Sequence, residues 1–211
     1  MAAQLAVAIL RAVPQNKIVL PNFLDFAFVL SSSMDSFSAD AAPGDHFYMR
    51  LALDEANRAA ACIEVPVGAV IVCGTEIIGR GYNRREELRT AVAHAEMLAI
   101  EQASRHLDRW RLSDCQLYVT LEPCLMCVGA ILQARIARLV FGCLDPKSGA
   151  VESLYQLCSD DRLNHRLPVS GGILAEQCSA VLRNFFSFVR NSKVNERQTK
   201  AERWPSPAEG A

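Results

Sequence analysis

The sequence has no apolar run long enough to cross a bilayer, where about 20 consecutive apolar residues are needed. Its two apolar stretches near the start are "LAVAIL" (Leu5–Leu10) and "IVLPNFLDFAFVL" (Ile18–Leu30); both are shorter, and Pro14, Asn16, Lys17 and Pro21 interrupt the region. It has no basic start either. Met1 to Gln4 carry no cation, which argues against a secretory leader, and Arg11 and Lys17 alone do not make an Arg-rich transit peptide. Charge of one sign is missing: 22 Lys and Arg face 23 Asp and Glu, a net of −1. The molecule as a whole therefore does not advertise broad affinity for polyanions. No repeat and no internal linker interrupts the chain.

What is present is an ordinary globular composition, 51% hydrophobic and 21% charged, in 211 residues. That is enough for one well-packed domain. The charge is unevenly placed. From Ser179 to Ala211 six Lys and Arg stand against three Asp and Glu, a net of +3; from Asp45 to Cys178 fourteen stand against seventeen, a net of −3. A basic tail on an acidic body is compatible with a polyanion partner or with a solvated terminal helix. The eight cysteines are scattered among apolar residues, as in "AVIVCG" and "LVFGCL". Reduced cysteines behave in this way as small hydrophobes, so a reducing, cytoplasmic compartment is expected. Residues 1–44 read as an N-terminal extension, poorly ordered or an over-extended start with Met34 as the initiator. Residues 45–191 read as the folded domain and 192–211 as a polar tail.

The pattern alternates helices and strands. Asp45 is expected to cap a helix over "HFYMRLALDEANRAAACI", with Met49, Leu53, Ala56 and Ala60 on its buried side. "GAVIVC" and "EIIGRGY", separated by Gly74-Thr75, read as a β-hairpin. "NRREELRTAV" reads as a polar loop, "AHAEMLAIEQASRH" as a helix and "CQLYVTL" as a buried strand. "LMCVGAILQA" reads as a helix with Pro123 at its first position. "RLVFGC" is a further strand, "ESLYQLC" a short helix, "LPVSGGI" an edge strand and "AEQCSAVLRNFFSFVRN" a final helix. Strands interleaved with helices imply an α/β fold, a sheet covered on its faces by helices.

Cys124 and Cys127 sit three residues apart behind Pro123. Alone they are compatible with a redox pair, half of a metal site, or two apolar fillers. His94 and Glu96 open the preceding helix, thirty residues before Cys124. His94 alone reads more readily as a core histidine than as a ligand. Together, one imidazole and two thiolates at helix N-termini make three zinc ligands, with the fourth tetrahedral position open for water, as in a catalytic site. Thiolate-plus-imidazole ligation favours zinc over other metals. Glu96 is then free to act as a proton shuttle. This H-x-E…P-C-x-x-C pattern is the signature of zinc nucleobase deaminases.

From His46 to Arg190 the chain resembles the bacterial-type tRNA-specific adenosine deaminases of the cytidine deaminase-like superfamily. "EVPVGAVIV" (Glu64–Val72), "GYNR" (Gly81–Arg84), "AHAE" (Ala93–Glu96), "LYVTLEPCLMCVGAI" (Leu117–Ile131) and "VFGCLDPKSGA" (Val140–Ala150) carry the likeness in order. "SLYQLCSDDRLNHR" (Ser153–Arg166) and "GGILAEQCSAVLRNFF" (Gly171–Phe186) narrow it within the superfamily. The resemblance implies a three-layer α-β-α fold with a mixed five-stranded sheet, and a homodimer. It implies hydrolytic deamination of adenosine to inosine at the wobble position of a tRNA anticodon. It assigns His94, Cys124 and Cys127 to one zinc ion per subunit and Glu96 to catalysis. Asn83 matches a contact to the target nucleoside, Val67, Ala95 and Leu121 the pocket around the base, and Asp145 a contact to the nucleotide backbone. The chain departs from the family where "TAVAHAE" replaces the familiar "DPTAHAE", with Thr90 left to cap the helix, and where Arg85 stands in place of a common proline. It also has fewer cations after the Phe185–Phe186 pair.

Local cations such as Arg84, Lys147, Arg166, Arg183 and Arg190 are expected to carry RNA binding. A deaminase of a free base or nucleoside is the alternative enzyme. A catalytically silent zinc subunit is the alternative from another class, disfavoured because Glu96 is present. Mass spectrometry of the native protein is expected to find no peptide from Leu5 to Leu30; such peptides would overturn Met34 as the start.

Overall fold

The computed structural model describes Ala42 and residues 44–202, with side chains described as far as Ser192. The expectation for residues 1–44 therefore lies almost wholly outside the described residues. Eleven regular elements are placed. Helix α1 (Asp45–Ala61) precedes strands β1 (Gly68–Cys73) and β2 (Glu76–Tyr82). A short helix α2 (Arg85–Leu88) and helix α3 (Ala95–His106) lead to β3 (Cys115–Leu121). Helix α4 (Leu125–Gln133), β4 (Arg138–Cys143), a 3-10 turn (Leu157–Ser159), β5 (Val169–Ser170) and helix α5 (Ala175–Glu202) complete the order.

The five strands form one sheet in the order β2-β1-β3-β4-β5. β1 pairs antiparallel with β2 and β3, while β4 runs parallel to both β3 and β5. This is the mixed five-stranded sheet expected. The β1–β2 hairpin needs only the turn at Gly74, whose φ of 60° suits glycine. The parallel half needs a crossover, and α4 supplies it between β3 and β4.

Successive strand residues face opposite sides of a sheet, and two separate cores result. Ala69, Ile71, Leu117, Val119, Leu139 and Phe141 join Ala95, Ala99, Val128 and Ile131 of α3 and α4. Val70, Val72, Tyr118 and Val140 join Met49, Ala52, Leu53 and Cys178 of α1 and α5. The layers approach closely because the strands offer glycine there. A Cβ on Gly68 would lie 2.1 Å from the Ala52 carbonyl oxygen, and one on Gly81 would lie 2.2 Å from that of Ala95.

Several local expectations are corrected. Gly44, in the left-handed region, occupies the N-cap of α1, and Asp45 is the first helical residue. The carboxylate of Asp45 is drawn inward to accept hydrogen bonds from Arg138 (2.8 Å through each nitrogen) and from the Tyr118 hydroxyl (2.9 Å). The buried stripe of α1 uses Ala52 and Ala59 with Met49, Leu53 and Ala56, leaving Ala60 half-buried. Close packing on Gly68 favours the small residues one position away. The polar stretch after Asn83 contains α2, and "ESLYQLC" is turn and 3-10 turn rather than helix, because Glu122 takes its backbone amides as described below.

Burial alone would raise the Asp45 pKa, but Arg138, the Ala42 amide and Tyr118 together hold it below its ordinary 3.8. The folded value lies below the unfolded one. This contribution to stability is therefore complete above pH 3.8 and is lost as pH falls through the folded value. Asp45→Ala leaves Arg138 facing an empty site and is expected to lower the unfolding free energy by about 3 kcal/mol at pH 7. Urea denaturation should show the gap from wild type narrowing below pH 3.8; a loss under ~1 kcal/mol at neutral pH would remove Asp45 as the tie between α1 and the sheet.

Candidate active site

The N-termini of α3 and α4 converge at one end of the sheet, where β3 ends. His94 is the N-cap of α3 and Cys124 the N-cap of α4, both with extended backbone. Pro123 therefore precedes the cap instead of occupying the first helical position. The reason is pairing: the Pro123 carbonyl accepts the Ala150 amide (2.9 Å), and Cys124 bridges to Gly149, which holds both residues extended. Thr90 does not cap α3, since His94 occupies that place.

Across the junction the His94 Nδ1 lies 3.7 Å from the Cys124 Sγ and 3.5 Å from the Cys127 Sγ, and the two sulfurs are 3.7 Å apart. Tetrahedral zinc with bonds of about 2.3 Å to sulfur and about 2.0 Å to nitrogen would separate its ligands by about 3.8 Å (S–S) and about 3.5 Å (S–N). The three side chains thus stand at the spacing the ion requires. Their protons are shared accordingly. Cys124 is held down to about 4 by the hydrogen bond from Cys127 and, against burial, by that from His94. The thiolate of Cys124 and burial push Cys127 up. The hydrogen bond to Cys124 raises His94, while the Arg85 charge opposes it. A bound dication takes over the role of these protons.

Glu96 is not part of this cluster. It lies 4% exposed, and burial pushes its carboxyl up. Because His94 is a cap with extended backbone, Glu96 two residues later still faces the same cleft. The cleft has a volume of about 200 Å³. Val67, Asn83, Ala95, Leu121 and Asp145 all line it with His94, Glu96 and Cys124. The carboxylate of Asp145 is partly engaged by its own loop, accepting from the amides of Lys147 (3.0 Å) and Ser148 (3.3 Å).

Four lining residues escaped sequence reasoning: Val65, Arg85, Glu122 and Ser148. Glu122 is the most consequential. Its buried carboxylate accepts the amides of Asp145 (3.0 Å), Val151 (3.1 Å), Glu152 (2.7 Å) and Ser153 (2.9 Å), and the Ser153 hydroxyl. Burial would raise its pKa, yet these donors bring it down to about 2. One side chain thereby pins the loop after β4 onto the turn that carries Cys124. An acidic residue directly before Pro-Cys was the available signal. Buried Glu64 plays a similar part for the cleft residue Asn83, accepting from its Nδ2 (3.3 Å) and from the Glu87 amide (2.8 Å).

The expected RNA-binding cations divide. Arg84 pairs with Glu87 (2.6 Å), and Arg166 and Arg183 pair with Asp161 and Glu176. Lys147 and Arg190 have no ion-pair partner among the described residues. A second thiol cluster, Cys73, Asp114 and Cys115, lies at the other end of β1 and β3. There Arg109 already holds the Asp114 carboxylate, so it lacks the free ligand set found at His94.

Comparison with known proteins agrees with this geometry. Residues 43–143 match the family model of the cytidine and deoxycytidylate deaminase zinc-binding region. A tRNA-specific adenosine deaminase of Streptococcus pyogenes serotype M18 is 48% identical over 149 residues, 71% of this chain and 94% of that protein. The Bacillus subtilis tRNA-specific adenosine deaminase is 44% identical over 158 residues, 75% of this chain and 98% of that one. The chain belongs to the tRNA-specific adenosine deaminase family. A structure from a study of A-to-I editing by tRNA:A34 deaminases at the wobble position of transfer RNA superposes on the deaminase with a TM-score of 0.63 and 44% identity, covering 64% of this chain and 99% of that one. A guanine deaminase of Nitrosomonas europaea is more distant, with a TM-score of 0.55 and 26% identity over 69% of this chain and 85% of that one.

A Cβ on Gly149 would lie 2.3 Å from the Glu122 carboxyl carbon. Gly149→Ala is expected to lower the unfolding free energy by about 1–3 kcal/mol. Thermal denaturation of wild type and variant checks this, and an unchanged midpoint would mean that the Glu122 clamp is not tight.

Proposed function

We infer that the chain hydrolyses adenosine to inosine at the wobble position of a tRNA anticodon, using one zinc ion per chain held by His94, Cys124 and Cys127. The observation that carries the reading is Glu96: a buried carboxylate outside the ligand set, facing a base-sized cleft beside three ligands at zinc spacing. Its supports beyond geometry are relatives whose names specify tRNA and adenosine, at 44–48% identity.

A zinc ion held by His94, Cys124 and Cys127 would acidify a bound water, from 15.7 toward about 7. Glu96 accepts the proton of the attacking water and delivers it to N1 of adenine as oxygen bonds to C6. Glu96 then moves the proton of the new C6 hydroxyl to the amino group, and the C6–N bond breaks to leave the C6 carbonyl of inosine and ammonia. Burial serves this role, since a carboxyl held toward neutrality can both take and give a proton. The thiolates and imidazole come from two capped helix ends, so the cleft's reacting end is held before substrate arrives.

Val67, Ala95 and Leu121 offer apolar contact to the ring. The Glu64 carboxylate takes one Nδ2 proton of Asn83 and leaves the rest of that carboxamide to orient the nucleoside. Asp145 and Ser148 stand where the sugar and backbone would pass. A base reaches such a site only when unstacked, which is less costly in an anticodon loop than in a duplex. The reading includes a homodimer, supported by the exposed apolar side chains Leu125, Leu144, Leu154 and Tyr155. It also includes a cytoplasmic location; no helix among the described residues is long and apolar enough to cross a membrane.

The free-base alternative is favoured by one observation, the likeness to a guanine deaminase. The deciding assay offers purified protein an anticodon stem-loop with wobble adenosine, free adenosine, cytidine and guanine. Inosine is expected in the stem-loop alone; turnover of a free base with the stem-loop untouched would overturn the tRNA substrate. Glu96→Ala is expected to keep its zinc and lose roughly 10²- to 10⁴-fold in rate. Cys124→Ala is expected to lose zinc, measured by metal analysis, together with thermal stability. A fully active Glu96→Ala would remove the proposed mechanism.

A further inference from the structure

We propose that Arg85 is a phosphate-binding residue, holding the RNA backbone beside the nucleotide whose base enters the cleft. This rests on the tRNA reading above. The inner charges of the cleft are carboxylates, Glu96 and Glu122, and Asp145 adds a third. Arg85 is the arginine that lines it, and it is exposed. No carboxylate among the described residues forms an ion pair with it. Its neighbour differs: Arg84 is forked onto Glu87 (2.6 and 2.8 Å) and lies over the Tyr82 ring, so its donors are engaged inside the protein.

The backbone around Arg85 is held on both sides. Its carbonyl accepts the Thr90 amide (3.2 Å), the Arg84 amide donates to the Ala93 carbonyl (3.0 Å), and Glu64 takes the Glu87 amide (2.8 Å). A cation on a fixed backbone loses less freedom on binding than one on a mobile loop. Its position also selects its partner. A base inserted toward His94 leaves its own phosphodiester at the mouth, where Arg85 is exposed. A guanidinium fork fits phosphate oxygens in pairs. With the body of the chain at −3 (fourteen cations against seventeen anions from Asp45 to Cys178), attraction to RNA must come from such local cations rather than from a general field.

The test is steady-state deamination of the wobble-adenosine stem-loop between about 50 and 200 mM NaCl, with fluorescence anisotropy of the labelled stem-loop alongside. Arg85→Ala is expected to raise KM roughly fivefold with kcat held within about twofold. It should also reduce the slope of log(kcat/KM) against log[salt] by about 0.7–0.9, the loss of one phosphate contact. Arg85→Lys should restore the slope while recovering only part of KM, because the ammonium keeps the charge and loses the fork. Zinc content and melting temperature should match wild type in both variants. If wild type is active and Arg85→Ala keeps its KM and salt slope, Arg85 is not a phosphate contact and the tRNA reading stands. A fall in kcat and metal content with an unchanged slope would assign Arg85 to the architecture of the site and overturn the proposal. Wild-type protein that neither binds nor deaminates the stem-loop removes both.

Discussion

Everything at the site depends on holding one imidazole nitrogen and two sulfurs, a set that could hold a metal, from two chain segments within 3.5–3.7 Å of one another. Without a cation the arrangement sets two thiols and an imidazole against each other, which is why their protons are redistributed so strongly. The fold meets this with two helix N-termini, where His94 and Cys124 hold the N-cap positions. His94 and Cys124 each sit where the backbone is extended and the first helical turn offers its amides. The positive end of each helix favours the negative charge gathered there.

Holding those two caps in register is the work of the sheet and of two buried glutamates. β1 stands between β2 and β3, so the segment leading to His94 and the segment leading to Cys124 share one scaffold. Small residues let α3 lie close on β2, and Gly81 is required there by the Ala95 carbonyl. Glu122 then ties the loop after β4 to the Cys124 turn, and Glu64 ties α2 to Asn83. Both are buried carboxylates stabilised by donors and not by water. Glu122 lines the cleft itself, while Glu64 holds Asn83, which lines it.

The electrostatic layout follows from the same economy of charge. Many exposed arginines are paired with nearby carboxylates, which leaves the surface close to neutral and the few unpaired cations prominent. Arg85 lines the cleft from the segment before His94, and Lys147 sits between the lining residues Asp145 and Ser148. An acidic, buried interior with cations at its edge suits a substrate that is a neutral base inside and a polyanion outside.

Much of this was legible in the residues themselves. The near-continuous apolar runs "GAVIVC" and "CQLYVTL" marked strands covered on both faces, because a strand's side chains alternate between the two sides of its sheet. The spacing of His94, Cys124 and Cys127 pointed to a metal site, and the fold brings those three side chains together. Local pattern also misled where a side chain was recruited from a distance. Asp45 has the chemistry of a cap, but Arg138, 93 residues away, claims its carboxylate. "ESLYQLC" has helical composition, but Glu122 claims its amides, 30 and 31 residues away. The arginines looked equivalent in the sequence, and only their neighbours in space separated Arg84 from Arg85. Propensity and spacing act within a few residues of the chain. Which donor meets which acceptor, and which cation is left free, was decided by packing that brings distant segments together.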